Sequence, residues 1–150
     1  VWNVCAANVA ARRLFGGWIG GEDRNLLRYV FLCDEARNFL DDWEGSAQRI
    51  LAEFRAESVR GDKNQVELFV KTLRADSADF ERLWHSQRVL NREGGLRRFH
   101  HPLDGVLDFD QVTLGFTAWP AFRLVTLTPV DRGECGGTRE CVYFQTMTIL

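Results

Sequence analysis

Four groups of side chains in this chain are of types that could do chemistry. His85, His100 and His101 invite a metal reading. Adjacent histidines in a strand point to opposite faces, so His100 and His101 cannot easily chelate one ion, and no carboxylate or Cys stands beside them at a ligand spacing. Structural or pocket-polar roles are favoured, and no metal is expected. Cys135 and Cys141 could close a small disulfide loop, hold zinc or sense redox state, but cytoplasmic thiols are normally kept reduced. Cys5 and Cys33 read as small core residues. Asp41, Asp42 and Glu44 flank Trp43 at a helix start, where acidic groups complement the helix dipole without any catalytic purpose. Gly16-Gly17-Trp18-Ile19-Gly20-Gly21 fits neither a P-loop nor a dinucleotide fingerprint and reads as a connection. No nucleophile elbow or triad signature is present. Nothing in these groups argues for an enzyme, and no cofactor is implied.

The elements that must position these residues follow a short strand, a helical middle and a run of strands. Val1 to Ala6 reads as a strand with Trp2 and Val4 on one face. Asn8 caps a short helix ending near Phe15, where Gly16 suits a left-handed C-terminal position. A second helix is expected from about Arg24 to Leu32, and Asp34 caps a short one through Phe39. The strongest helical periodicity covers about Asp41 to Arg60, with Trp43, Ala47, Ile50, Leu51 and Phe54 on one face. Val66, Phe69, Val70 and Leu73 mark the next helix; Asp76 or Ser77 caps a last one bearing Phe80, Leu83 and Trp84. Gly94-Gly95 punctuates the change to period two. Strands are then expected at Leu96–His101, Val106–Leu114 and Arg123–Thr128, the first two joined by a tight turn at Asp104-Gly105. Cys141 to Leu150 has strong β propensity.

With 150 residues, 45% of them hydrophobic and 27% charged, the chain is sized for one domain with a real core. A formal net charge of −2 leaves no electrostatic footprint for nucleic acid. No apolar stretch approaches the roughly 20 residues of a membrane span and no signal peptide opens the chain. The default compartment is the cytoplasm. Five Trp and eleven Phe are a heavy aromatic load, mostly core, although the same residues could line a cavity. Val1-Trp2-Asn3-Val4 begins a strand with no lead-in, as expected of a fragment whose partner domain lies upstream.

Several of these segments, in this order, resemble the ligand-binding domain of MmyB-like transcription regulators. The pieces are Trp2-Asn3-Val4-Cys5-Ala6-Ala7-Asn8 with Ala10-Ala11 and Leu14-Phe15-Gly16, then Arg24 through Leu32, Asp42-Trp43-Glu44, Ser77 through Trp84, and Arg98-Phe99-His100-His101-Pro102 with Gly105 and Leu107. Together they span about Val1 to Pro129; the tail from 130 to 150 is atypical. The resemblance implies an α+β, PAS-like fold, an antiparallel sheet with a helical layer over one face. It also implies an upstream helix-turn-helix DNA-binding domain of the XRE type, absent from this chain, and a pocket associated with fatty-acid-like ligands. Gln87-Arg88-Val89 departs from the His-Asp-Val that family members often carry after the last long helix. Cys141–Leu150 would add an edge strand or pair with a second subunit.

The expected function is therefore effector sensing, in which a hydrophobic or amphipathic molecule enters between sheet and helices and alters DNA binding through the upstream domain. Arg28, Arg98 and His100 or His101 are the candidate head-group donors. Phe31, Phe39, Trp43, Phe54, Trp84, Phe99 and Phe109 are the candidate walls. Phe99 and His100 have opposite strand parity and cannot both face the pocket without a bulge. A homodimer is expected, because two-fold regulators read paired half-sites. The alternative is a ligand-free interaction or dimerisation module with a filled core.

Overall fold

The computed structural model describes residues 2–59, 61–86 and 95–130, together with the backbone of 147–149. Strand β1 (Val4–Ala7) leads into α1 (Val9–Leu14), α2 (Gly16–Ile19), α3 (Leu26–Leu32) and α4 (Asp34–Phe39). The longer helices α5 (Trp43–Ser58), α6 (Lys63–Asp76) and α7 (Ala78–His85) follow. Strands β2 (Gly95–His101), β3 (Gly105–Gly115), β4 (Arg123–Pro129) and β5 (Met147–Ile149) complete an antiparallel sheet in the order β1-β5-β4-β3-β2. The fold is α+β, as the sequence implies.

Short polar side chains start the helices by accepting from backbone N–H groups that the first turn leaves without partners. Asn8 accepts from Ala11 N at 2.8 Å, Asn25 from Arg28 N at 3.1 Å, Asp42 from Gly45 N at 3.0 Å and Ser77 from Phe80 N at 3.2 Å. Asp62 does the same for α6 through Asn64 N at 2.9 Å. Gly105, at φ +76°, takes the left-handed conformation that closes the β2–β3 hairpin after Pro102, Leu103 and Asp104.

Register decides which strand residues meet the helices. Phe99 pairs with Leu107, Arg97 with Phe109, and Gln111 with Leu127, so these side chains share one face of the sheet. That face is buried at Arg97, Phe99, His101, Phe109, Val125 and Leu127. The opposite face carries Leu96, Val112 and Leu114, all exposed among the described residues. Strand β2 is also tied to the helical layer through a bridge between Leu40 and Phe99, and Asp41 N donates to Arg98 O at 3.4 Å.

Two expectations need correction. The glycine-rich stretch is not a loop: Gly16 starts α2, and Trp18 and Ile19 are buried at 3% and 2% exposure. Burying two large side chains outweighs the poor helix propensity of glycine, and Gly16 is not left-handed. Cys5 and Cys33 are exposed instead of core. Cys5 points outward from a strand whose neighbour Val4 points in, and Cys33 sits at the junction of α3 and α4. Partial desolvation of the Cys33 thiol, with Glu35, Asp23 and Asp34 nearby, pushes its pKa up, away from a reactive thiolate. Cys135, Cys141 and Gln87-Arg88-Val89 lie outside the described residues, and only 147–149 of the last predicted strand are described.

The core is an aromatic network running from the sheet to α7. Phe54, fully buried on α5, meets Trp2 edge-on at 5.7 Å and lies 6.0 and 6.4 Å from Phe69 and Trp84. Phe54→Ala is expected to cost about 3–5 kcal/mol of folding stability, from lost burial plus the cavity left behind. Urea denaturation followed by tryptophan fluorescence measures it.

Candidate functional site

Helix α5 crosses the inward face of the sheet with a polar edge as well as an apolar one. Its apolar stripe of Ala47, Ile50, Leu51 and Phe54 is buried. Arg49, Glu53 and Glu57 recur at four-residue spacing beside that stripe, so they share one side of the helix. Across from them the sheet presents Arg97, Gln111, Thr113 and Arg123. All of these line a partly enclosed cavity of about 100 Å³. Its apolar walls include Trp2, Phe15, Trp18, Tyr29, Phe39, Phe99 and Ile50.

The aromatic wall is rigid. Phe39 stacks on Phe99 at 5.0 Å, and Phe15 meets both edge-on at 5.6 and 5.5 Å. Trp18 stacks on Tyr29 at 5.4 Å, and burial raises the Tyr29 hydroxyl to about 12, with Glu35 and Cys33 acting in the same direction. Such a phenol stays neutral and can only hydrogen-bond. The indole Nε1 of Trp18 is buried with no hydrogen-bond partner among the described residues. An orphaned buried donor costs about 1–3 kcal/mol, so this atom favours any acceptor that enters.

The polar wall is built around Arg97, which is 8% exposed. Its Nε donates to Gln111 Oε1 at 3.0 Å and its Nη1 to Leu96 O at 3.0 Å. Burial pushes this guanidinium down to about 10; the nearby Arg49 charge adds to the effect, while Glu53 and Asp110 oppose it. Burial also lowers Arg49, partly offset by Glu53 and Asp42. Arg49 approaches Glu53 only to 3.7 Å, and the Arg49 Nε has no hydrogen-bond partner among the described residues. At the other end Glu57 accepts from Trp2 Nε1 at 2.8 Å and meets Arg123 Nε at 3.3 Å.

Of the residues expected from sequence, Phe39 and Phe99 line this cavity. Phe31, Trp43, Phe54, Trp84 and Phe109 are packed in or against the core outside its lining. Trp43 is fixed by donating to Val30 O at 2.9 Å and by Arg37 over its ring, and Arg55 covers Trp84 at 4.6 Å. The expected head-group donors all lie elsewhere. Arg98 faces outward by strand parity and pairs with Asp108 at 2.8 Å. His100 shares that parity and meets Asp41 at 2.6 Å on the surface. His101 is buried, but its Nδ1 accepts from the backbone N–H of Leu103 and Asp104 and its Nε2 faces Arg13 O, which spends the ring on the hairpin. Arg28 pairs with Asp23 at the rim of a second, wider groove of about 460 Å³. That groove is larger but polar and open to water, so it desolvates little. The smaller apolar cavity is the better binding site.

Arg97 escaped notice although parity alone points to it, two residues from Phe99 on the same strand face. Arg49 left no such signal, because a residue beside a helical apolar stripe is usually solvated. Among the described residues no group of His, Cys, Asp or Glu is placed to hold a metal, and no helix is long and apolar enough to cross a membrane.

A family model described as MmyB-like transcription regulator ligand binding domain matches residues 1–134. No curated protein matches the chain, and no solved structure does.

Three guanidiniums and two carboxylates line the cavity. Arg97→Met takes the donor away from Gln111 Oε1 and Leu96 O and is expected to lower folding stability by about 1–3 kcal/mol. The urea midpoint measures this; an unchanged or higher midpoint would make Arg97 a residue kept at a cost instead of a structural requirement.

Proposed function

The chain belongs to the family of MmyB-like transcription regulator ligand-binding domains, and from that premise we propose that the cavity under α5 is its effector site. The effector is an amphipathic, fatty-acid-like small molecule with an apolar body on the aromatic wall and a polar head against Arg97 and Arg49. The observation that carries this reading is a hydrophobic core interrupted by an aromatic-walled cavity with buried charge. A filled, ligand-free interaction module has no need for an orphaned Trp18 Nε1 or a buried Arg97. Burial of an apolar body contributes about 0.8 kcal/mol per methylene before ordering costs.

The domain senses and does not catalyse. In a cytoplasmic regulator it acts on DNA only through an upstream helix-turn-helix domain, and as a homodimer, since paired half-sites require two-fold symmetry. The exposed apolar side chains of the outer sheet face, Leu96, Val112 and Leu114, support self-association. The strand order, with the first strand beside the last, supports a PAS-like reading of the sheet.

Communication runs through Trp2. This residue lines the cavity, holds a left-handed backbone at φ 57°, and is anchored by Glu57. A ligand that displaces the Trp2 ring therefore shifts the backbone on the side where the upstream domain attaches. Regulation then follows from differential affinity for the two positions of that strand.

Native mass spectrometry of the purified chain, followed by denaturing extraction, tests the reading. The expected result is a stoichiometric amphiphile, or a thermal shift with added amphiphiles that Ile50→Trp abolishes by filling the cavity. An empty chain unresponsive to an amphiphile panel supports the interaction module instead. In the full-length regulator, Trp2→Ala is expected to retain ligand binding and lose most of the ligand-dependent change in operator affinity, measured by fluorescence anisotropy.

A further inference from the structure

Resting on the effector-site reading, we propose that the effector carries a neutral oxygen acceptor near its inward end, a carbonyl or a hydroxyl, bound by the indole N–H of Trp18. Trp18 thereby selects an oxygenated tail over a plain hydrocarbon one.

The donor is built into the fold and left open. Trp18 is 3% exposed, lines the cavity, and its Nε1 finds no partner among the described residues. Two other indoles are satisfied within the domain: Trp2 Nε1 donates to Glu57 and Trp43 Nε1 to Val30 O. The Trp18 ring is also held in place. It stacks on Tyr29 with the planes 13° apart and meets Phe15 edge-on at 5.6 Å. Its backbone N donates to Phe15 O at 2.9 Å, and its carbonyl accepts from Gly21 N at 3.1 Å. A Cβ at Gly20 would lie 2.9 Å from Gly16 O, so the turn that carries the ring is as tight as its glycines allow. A donor fixed in this way does not swing out to water. An indole N–H only donates, so the partner it lacks is an acceptor.

The surroundings set the kind of acceptor. Phe15 and Tyr29 are the ring neighbours of Trp18, and Phe15 leads on to Phe39 and Phe99. This wall carries no charge, since the Tyr29 hydroxyl, raised to about 12 by burial, stays neutral. One neutral donor does not offset the desolvation of a carboxylate, whereas a carbonyl or hydroxyl oxygen is served by a single such bond. Volume sets how much of the effector enters. The cavity of about 100 Å³ is smaller than the ~150 Å³ that takes one benzene, so it admits a small group and not a whole effector. Its polar edge reaches solvent, with the Arg49 and Glu53 side chains 20% and 25% exposed. Phe15, Trp18 and Phe99, at 7%, 3% and 6%, form the closed end. The tail therefore enters first, its oxygen meets Trp18, and the remainder lies toward the polar edge.

Calorimetry on the intact chain with octanoate and its (ω−1)-oxo, ω-hydroxy and α-oxo derivatives tests the proposal. The expected result is that a tail-oxygenated acid binds about tenfold more tightly than octanoate, the gain of one buried hydrogen bond. The α-oxo isomer carries its oxygen at the other end and should gain nothing. Replacing Trp18 by benzothienylalanine, which keeps the double ring and loses the N–H, should bring the ratio of affinities close to one. Trp18→Phe should do the same. A merely structural Trp18 would weaken every acid and leave the ratio standing. If a variant fails to fold, the comparison of the four acids on the unaltered chain decides alone. Equal binding of octanoate and its tail-oxygenated derivatives, an equal gain for the α-oxo isomer, or a ratio that survives both replacements would each overturn the proposal. Octanoate binding that Ile50→Trp abolishes, without preference for a tail oxygen, overturns it and leaves the effector-site reading standing. A chain that binds none of the acids overturns both.

Discussion

A guanidinium held on the inward face of the sheet constrains everything around it. Arg97 sits between the aromatic cluster of Phe15, Phe39 and Phe99 and the polar edge of α5, where a charge loses most of its hydration. The fold tolerates this because Gln111 and a backbone carbonyl accept from it and Glu53 lies near. Arg49 brings a second positive charge to the same place. The cavity is what remains when a close-packed interior must leave room beside such a group. Ordinary domain interiors fill space with apolar side chains at near-crystalline density. This one keeps a void, a charge and an orphaned indole together.

The rest of the molecule is organised to hold those three features still. The caps at Asp42 and Asn25 fix where α5 and α3 begin, and therefore which residues of each helix face the sheet. The Leu40–Phe99 bridge pins the aromatic wall to the α4–α5 connection. The ring His101, far from the charge it was expected to supply, clasps the hairpin that sets the register of Arg97 and Phe99. Trp2 closes the opposite end, tied to Glu57 and Arg123. Rigid walls matter for a sensor, since a pocket that collapses without ligand loses affinity to the cost of reopening it.

Much of the architecture was legible in the sequence because local physics dominates there. Periodicity located α5, α6 and α7, polar caps marked their starts, and Asp104-Gly105 announced the hairpin. The stretch around Trp18 misled, since its glycines signal a loop while its two large apolar residues demand burial, and burial prevails. Strand parity was the instrument that would have found the site. Applied to Phe99 it excludes Arg98 and His100 and selects Arg97, whose charge made it look like a surface residue. Arg49 and Glu53 were not recoverable this way. Their role arises only when α5 lies across the sheet, a tertiary fact that helix spacing does not contain. The same limit explains why Phe31, Phe54 and Trp84, correctly placed on inward helix faces, pack the core without reaching the cavity.

The central claim, that ligand enters between α5 and the sheet, is tested most directly by the indole N–H resonances of the five tryptophans. In a ¹⁵N-labelled chain titrated with a fatty acid, the account predicts that Trp18 and Trp2, both in the cavity lining, shift in a saturable way. Trp119, exposed at 64% in the loop between β3 and β4, should not move. Saturable shifts confined to Trp119, with Trp18 and Trp2 unmoved, would place the binding surface elsewhere and contradict the account.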